Sequence, residues 1–158
     1  MLLAVAALAP ALGGCGEREI PAIAPSQLAA HTLFTSGEDG YHTYRIPSLL
    51  VTHDGIVLAF VEGRRHGRRD HGDIDVLLRR STDGGAICSP ARVVADMGGD
   101  TVGNPTAVQD RAPGPIRLLL SWHPAADRAA AAAVAVTIDG EGAVTVSEEY
   151  EFAQGPHR

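Results

Sequence analysis

Short apolar runs separated by turn residues occupy most of the chain after position 30. Residues Arg45 to Thr52 are apolar and extended, His53-Asp54-Gly55 forms a turn, and Ile56 to Glu62 is a second apolar run. An Asp-Gly pair between two apolar runs is a strong hairpin signal. A charged loop follows from Gly63 to Gly72, and Asp73 to Arg80 then predicts another strand, ending in the turn Ser81-Thr82-Asp83-Gly84-Gly85. Ala91 to Ala95, Thr106 to Gln109, Ile116 to Trp122, Ala131 to Thr137 and Ala143 to Ser147 predict further strands. The alanines at 129–133 have helical propensity. They run into Val134-Ala135-Val136-Thr137 and then Asp139-Gly140, which favours a strand.

This rhythm predicts an all-β fold: a sandwich, a barrel or a propeller. An internal comparison favours the propeller. Ser81-Thr82-Asp83-Gly84-Gly85 is similar to Thr137-Ile138-Asp139-Gly140-Glu141-Gly142, each following an apolar strand, and the 56-residue offset is near the length of one blade. A six-bladed β-propeller at about 40–60 residues per blade needs far more chain, so residues 31–158 supply two to three blades.

Composition narrows the function. With 45% hydrophobic and 20% charged residues the chain reads as globular. A net charge of -6 argues against a nucleic-acid partner. The two cysteines make no disulfide framework. Residues 1–12 are apolar and too few to span a bilayer as a helix, so they predict an export signal. Leu12-Gly13-Gly14-Cys15 resembles a lipobox, in which Cys15 is lipidated and becomes the new N-terminus. The expected organisation is a signal peptide with lipobox at 1–14, a tether at 15–30 and the propeller segment at 31–158. The protein is then exported and lipid-anchored at the cell surface or periplasmic face. A plain signal peptide, giving a secreted protein, is the alternative.

Four blocks in one order carry a family resemblance. Tyr44-Arg45-Ile46-Pro47 is followed by Glu62-Gly63-Arg64 with Asp70, then Asp73 to Ser81 leading into Ser81-Thr82-Asp83-Gly84-Gly85, then Gly103-Asn104-Pro105. Together they resemble the start of the catalytic domain of bacterial exo-α-sialidases with Asp-box repeats. The resemblance implies a six-bladed β-propeller, here its N-terminal part. It implies a retaining glycoside hydrolase that removes terminal sialic acids from sialylated glycans without cofactor or metal. Arg45 matches the first of three arginines that grip the substrate carboxylate, a task suited to the bidentate guanidinium. Arg64 matches a further substrate-binding arginine and Asp70 the general acid/base. Asn104 matches a residue near the N-acyl pocket, and equally suits a turn before proline. Ser81, Asp83 and Gly85 match the structural positions of the Asp-box, although Cys88 stands where that box has Trp.

The family's nucleophile is a Tyr with a Glu as its base. Tyr150 and Glu148 match no such motif, so the segment is expected to be inactive alone. Asp73 and Asp75 enter a strand and are expected to be structural. His66, Asp70, His71 and Asp73 form a cluster of metal-ligand residue types without regular ligand spacing. The arginines from Arg64 to Arg69 suggest a polyanion patch that Gly67 interrupts. A noncatalytic Asp-box propeller, or a fragment that only binds glycans, is the rival reading.

Overall fold

In a computed structural model the chain divides into Met1–Ala30 and His31–Arg158. The structure describes residues 30–110, 114–126, 132–138 and 144–151. The expected signal peptide, lipobox and tether, including Cys15, lie outside these residues.

All regular structure among the described residues is strand. The first four are β1 (Thr43–Val51), β2 (Val57–Arg64), β3 (Ile74–Ser81) and β4 (Arg92–Ala95). The next four are β5 (Thr101–Gln109), β6 (Ile116–His123), β7 (Ala132–Ile138) and β8 (Val144–Glu151). Each predicted apolar run is matched by one of them. Neighbours pair antiparallel within β1–β4 and within β5–β8, giving two four-stranded meanders. Among the described residues a single parallel bridge, Ile74 to Thr101, joins the two. Four-stranded meanders joined in series are the blades of a propeller.

Alternation along the strands builds the core between the meanders. Leu58 and Phe60 of β2 and Val76 and Leu78 of β3 turn one face toward Val102 of β5, Leu118 and Leu120 of β6, and Val134 of β7. A smaller cluster, Tyr41, Val61 and Leu77, fills the other face of the first meander.

One boundary differs from the expectation. β5 starts at Thr101, five residues before the predicted start, so Gly103-Asn104-Pro105 lies inside a strand. The reason is a bulge. Pairing slips between Gly103 and Thr106, Pro105 donates no ladder hydrogen bond, and Asn104 takes a φ of 52°. The same slip occurs in β1 between Arg45 and Ser48, with Ile46 at φ 54° before Pro47.

The turn after β3 is held by its own side chains. Ser81 Oγ donates to Asp83 Oδ1 at 2.6 Å and accepts from the Gly85 N–H at 2.8 Å. Asp83 Oδ1 also accepts from the Ile87 N–H at 3.0 Å. The Ile87 and Ser81 bonds hold the Asp83 carboxyl below its ordinary range. Cys88 is half-buried beside this turn. Asp139 to Gly142 of the similar second turn lie outside the described residues.

Candidate functional site

Strand ends and one loop converge at the end of the meanders where β2 leads into β3. Arg45 sits at the bulge of β1 and is paired across the ladder with Glu62. Arg64 ends β2, and the loop that follows carries Asp70 back toward both arginines. Arg45 Nη1 lies 2.9 Å and Arg64 Nη1 2.7 Å from the same oxygen, Asp70 Oδ1. The Arg64 hydrogen bond and charge, with Arg45 beside them, hold the Asp70 carboxyl below its ordinary range.

The three groups differ in access. The side chains of Arg45 and Asp70 are 46% and 76% exposed, and that of Arg64 is 3% exposed. Arg64 is committed to protein acceptors. Its Nε and Nη2 donate to Glu62 Oε2 at 3.3 and 2.7 Å, and its Nη1 donates to the carbonyls of Arg68 and Arg69 at 2.8 and 2.9 Å. Burial alone would make Arg64 easier to deprotonate, but its bonds to Glu62 and Asp70 outweigh that and hold the charge more firmly. Arg64 therefore stands behind Asp70 and the loop backbone, whereas Arg45 faces solvent.

Asn104 comes in from the second meander. Its backbone N–H donates to Glu62 Oε1 at 2.9 Å, and its exposed side chain donates to Ser121 Oγ at 2.8 Å. A cleft of about 220 Å³ opens beside Asp70, lined by His71, Gly72, Thr101, His123, Pro124 and Ala125. Asp100 fixes the far wall, accepting from Trp122 Nε1 at 3.0 Å and from the Ala125 N–H at 2.8 Å.

The base of the loop is a second ionic group with a different character. Arg65 lies 3.1 Å from Asp73 and 2.6 Å from Asp75. Tyr41 donates to Asp75 at 2.6 Å. Asp75 is fully buried, and that burial raises its carboxyl while Tyr41 and Arg65 oppose the rise. Burial first, then the bond to Asp75, raises the Tyr41 phenol as well. These groups support the strand and loop from within, as expected of Asp73 and Asp75. Among the described residues no group of three or more His, Cys, Asp or Glu is placed to hold a metal ion. The side chains of Glu148 and Tyr150 lie outside the described residues.

The residue that sequence reasoning left without a role is Glu62, which touches both Arg64 and the Asn104 turn. A signal for it exists. Glu62 and Arg64 are two charges on one face of a strand that is otherwise apolar, VLAFVEGR.

No family model matches the chain. It is 39% identical over 111 residues to an exo-alpha-sialidase of Aspergillus fumigatus, covering 66% of this chain and 27% of that protein. It is 43% identical over 77 residues to an exo-alpha-sialidase of Arthroderma benhamiae, covering 45% of this chain and 19% of that one. A sialidase of Micromonospora viridifaciens is 38% identical over 100 residues, 60% of this chain and 16% of the relative. Among solved structures, a Hadza microbial sialidase, Hz136, superposes with a TM-score of 0.63 at 24% identity, over 73% of this chain and 27% of that one. The chain thus spans about a quarter or less of the relatives it matches, and the structural likeness bears on the fold, a partial β-propeller. These sequence relationships and this fold support a fragment of the sialidase family, since the chain is similar to one part of each of these sialidases.

Proposed function

We propose that this chain forms part of an exo-α-sialidase, a retaining glycoside hydrolase that removes terminal sialic acids from glycoproteins, glycolipids or oligosaccharides. The observation that carries the reading is the 2.9 Å contact between Arg45 and Asp70 at an open surface. A sialoside bears its carboxylate and its glycosidic oxygen on the same anomeric carbon. A group that binds the carboxylate and a group that protonates the leaving oxygen must therefore be close neighbours. Arg45 serves as the first and Asp70 as the second. Arg64 acts at the same place by holding Asp70, and Asn104 lines the neighbouring edge. The Tyr and Glu that complete such a mechanism are not assigned among the residues described.

Kinetics separate the two roles in the protein that carries this chain. Asp70→Ala removes the proton donor, so kcat/KM on natural sialosides should fall about 10²–10⁴-fold, while aryl sialosides, whose phenolate leaves unaided, recover much of the loss. Arg45→Ala should lower kcat/KM on both substrates alike. Equal losses on both substrates in Asp70→Ala would rule out the acid/base assignment.

The N-terminal segment extends the proposal to location. The lipobox-like Leu12-Gly13-Gly14-Cys15 supports an exported, lipid-anchored protein. Mass spectrometry of the membrane fraction should find diacylglyceryl-modified Cys15 at the mature N-terminus. An unmodified mature terminus at another residue would refute the anchor.

A further inference from the structure

Glu62 is a buried carboxylate at the junction of the two meanders, and each of its oxygens has a separate task. Strand β2 is apolar from Val57 to Val61. It then places Glu62 and Arg64 on the face that Leu58 and Phe60 present to the second meander. Both charged side chains are almost fully buried, 5% and 3% exposed. Taking two charges out of water is costly unless their remaining lone pairs and protons are satisfied. Glu62 Oε2 accepts from Nε and Nη2 of Arg64. That leaves the Nη1 edge of Arg64 for the carbonyls of Arg68 and Arg69 and for Asp70. Glu62 Oε1 accepts the Asn104 N–H across the interface. Gly103 lies opposite it, and a Cβ there would collide with Glu62 Oε1 and lie 2.9 Å from its Cδ, so any side chain at this position would have to displace Glu62.

We infer that Glu62 is a positioning residue: through Arg64 it sets the charge and the loop that hold Asp70, and through Asn104 it fixes the facing strand at the same site. This rests on the reading of Asp70 as the acid. Asp70 faces Arg45 from β1, Arg64 from β2, His71 in its own loop and His123 at the end of β6 across the cleft. Arg64 answers two carboxylates, and Glu62 takes one whole edge of it. Without the Glu62 charge, Asp70 becomes the sole counter-ion of a buried guanidinium. It is then drawn into a tighter pair and gives up its proton more readily.

Glu62→Gln is the test, because Gln keeps the length and the acceptor for Asn104 but loses the charge that Arg64 needs. In the protein carrying this chain, the alkaline limb of kcat should move down by about one pH unit, the scale of an altered ion pair. Natural sialosides should lose about tenfold in kcat at neutral pH and aryl sialosides much less. Glu62→Asp, which keeps the charge, should restore the limb toward its original position. A limb that stays in place in a folded Glu62→Gln protein would overturn the inference.

A second readout does not depend on activity. Arg68 and Arg69 are trypsin sites in the loop whose carbonyls Arg64 holds. Without the Glu62 charge the guanidinium turns toward Asp70 and releases those carbonyls, so Glu62→Gln should speed native-state cleavage there at least several-fold. Gly103→Ala, which displaces Glu62 from the other strand without changing any charge, should do the same, and it serves where Glu62→Gln does not fold. Unchanged cleavage in both variants would overturn the inference. Faster cleavage in a protein that hydrolyses no sialoside would uphold the positioning role and remove the proposed activity.

Discussion

At the scale of single residues, the site is a contest for cations. Asp70 is paired with Arg45, so on the proposed function a substrate carboxylate that binds Arg45 must displace it. The sign of the consequence is fixed. The arginines hold the Asp70 carboxyl low, so the free group is ionised at neutral pH. A substrate carboxylate that takes over Arg45 removes one lowering charge and adds a repelling one, which raises Asp70 toward a protonated, donating form. Arg45, Asp70 and Asn104 stand out in the sequence because their blocks keep the order of a known family. The burial of Arg64 does not, since in sequence it is one of four arginines between 64 and 69. Only the fold reveals that Arg64 is spent on Glu62 and the loop carbonyls while Arg68 and Arg69 stay exposed.

At the scale of elements, the apolar runs predicted all eight strands because period-two burial and the Asp-Gly and Ser-x-Asp-Gly turns act locally. The start of β5 escaped because its first half is Thr-Val-Gly-Asn-Pro, where glycine and proline normally signal an end to a strand. The bulges explain this exception, and they carry strain. Ile46 is β-branched and holds a φ of 54°, a conformation rare for such residues. It is partly exposed, so its side chain adds little to the core. Strain of this kind is typically worth about 1–3 kcal/mol. Glycine in the unfolded chain gives back about 0.5–1 kcal/mol of that through its greater freedom. Ile46→Gly should therefore stabilise the protein by about 1 kcal/mol in urea denaturation while kcat/KM falls, because Arg45 loses its rigid neighbour. A lower urea midpoint in the variant would show that the bulge is not strained.

At the scale of the whole molecule, the two meanders are joined by side chains far more than by backbone, since among the described residues a single bridge connects their ladders. Phe60 is 1% exposed and belongs to the cluster shared by β2, β3, β4, β5, β6 and β7. Phe60→Ala should cost about 3–5 kcal/mol and lower the melting temperature of both meanders together, as calorimetry would read it. Two separate transitions would mean that each meander is stable alone. The repeat itself was only partly legible. The turn similarity at a 56-residue offset pointed to it, and the X-Pro bulge recurring from Ile46 to Asn104 makes it plain in the backbone. Superimposing the two bulges aligns Arg45 with Gly103. A duplicated backbone would allow a cation at both places, yet the glutamate of the first copy occupies the space where the second copy's side chain would begin. The symmetry of the architecture is thus broken by its own first half: one copy carries a guanidinium at this place, while its twin position is left bare because its space has been claimed from next door.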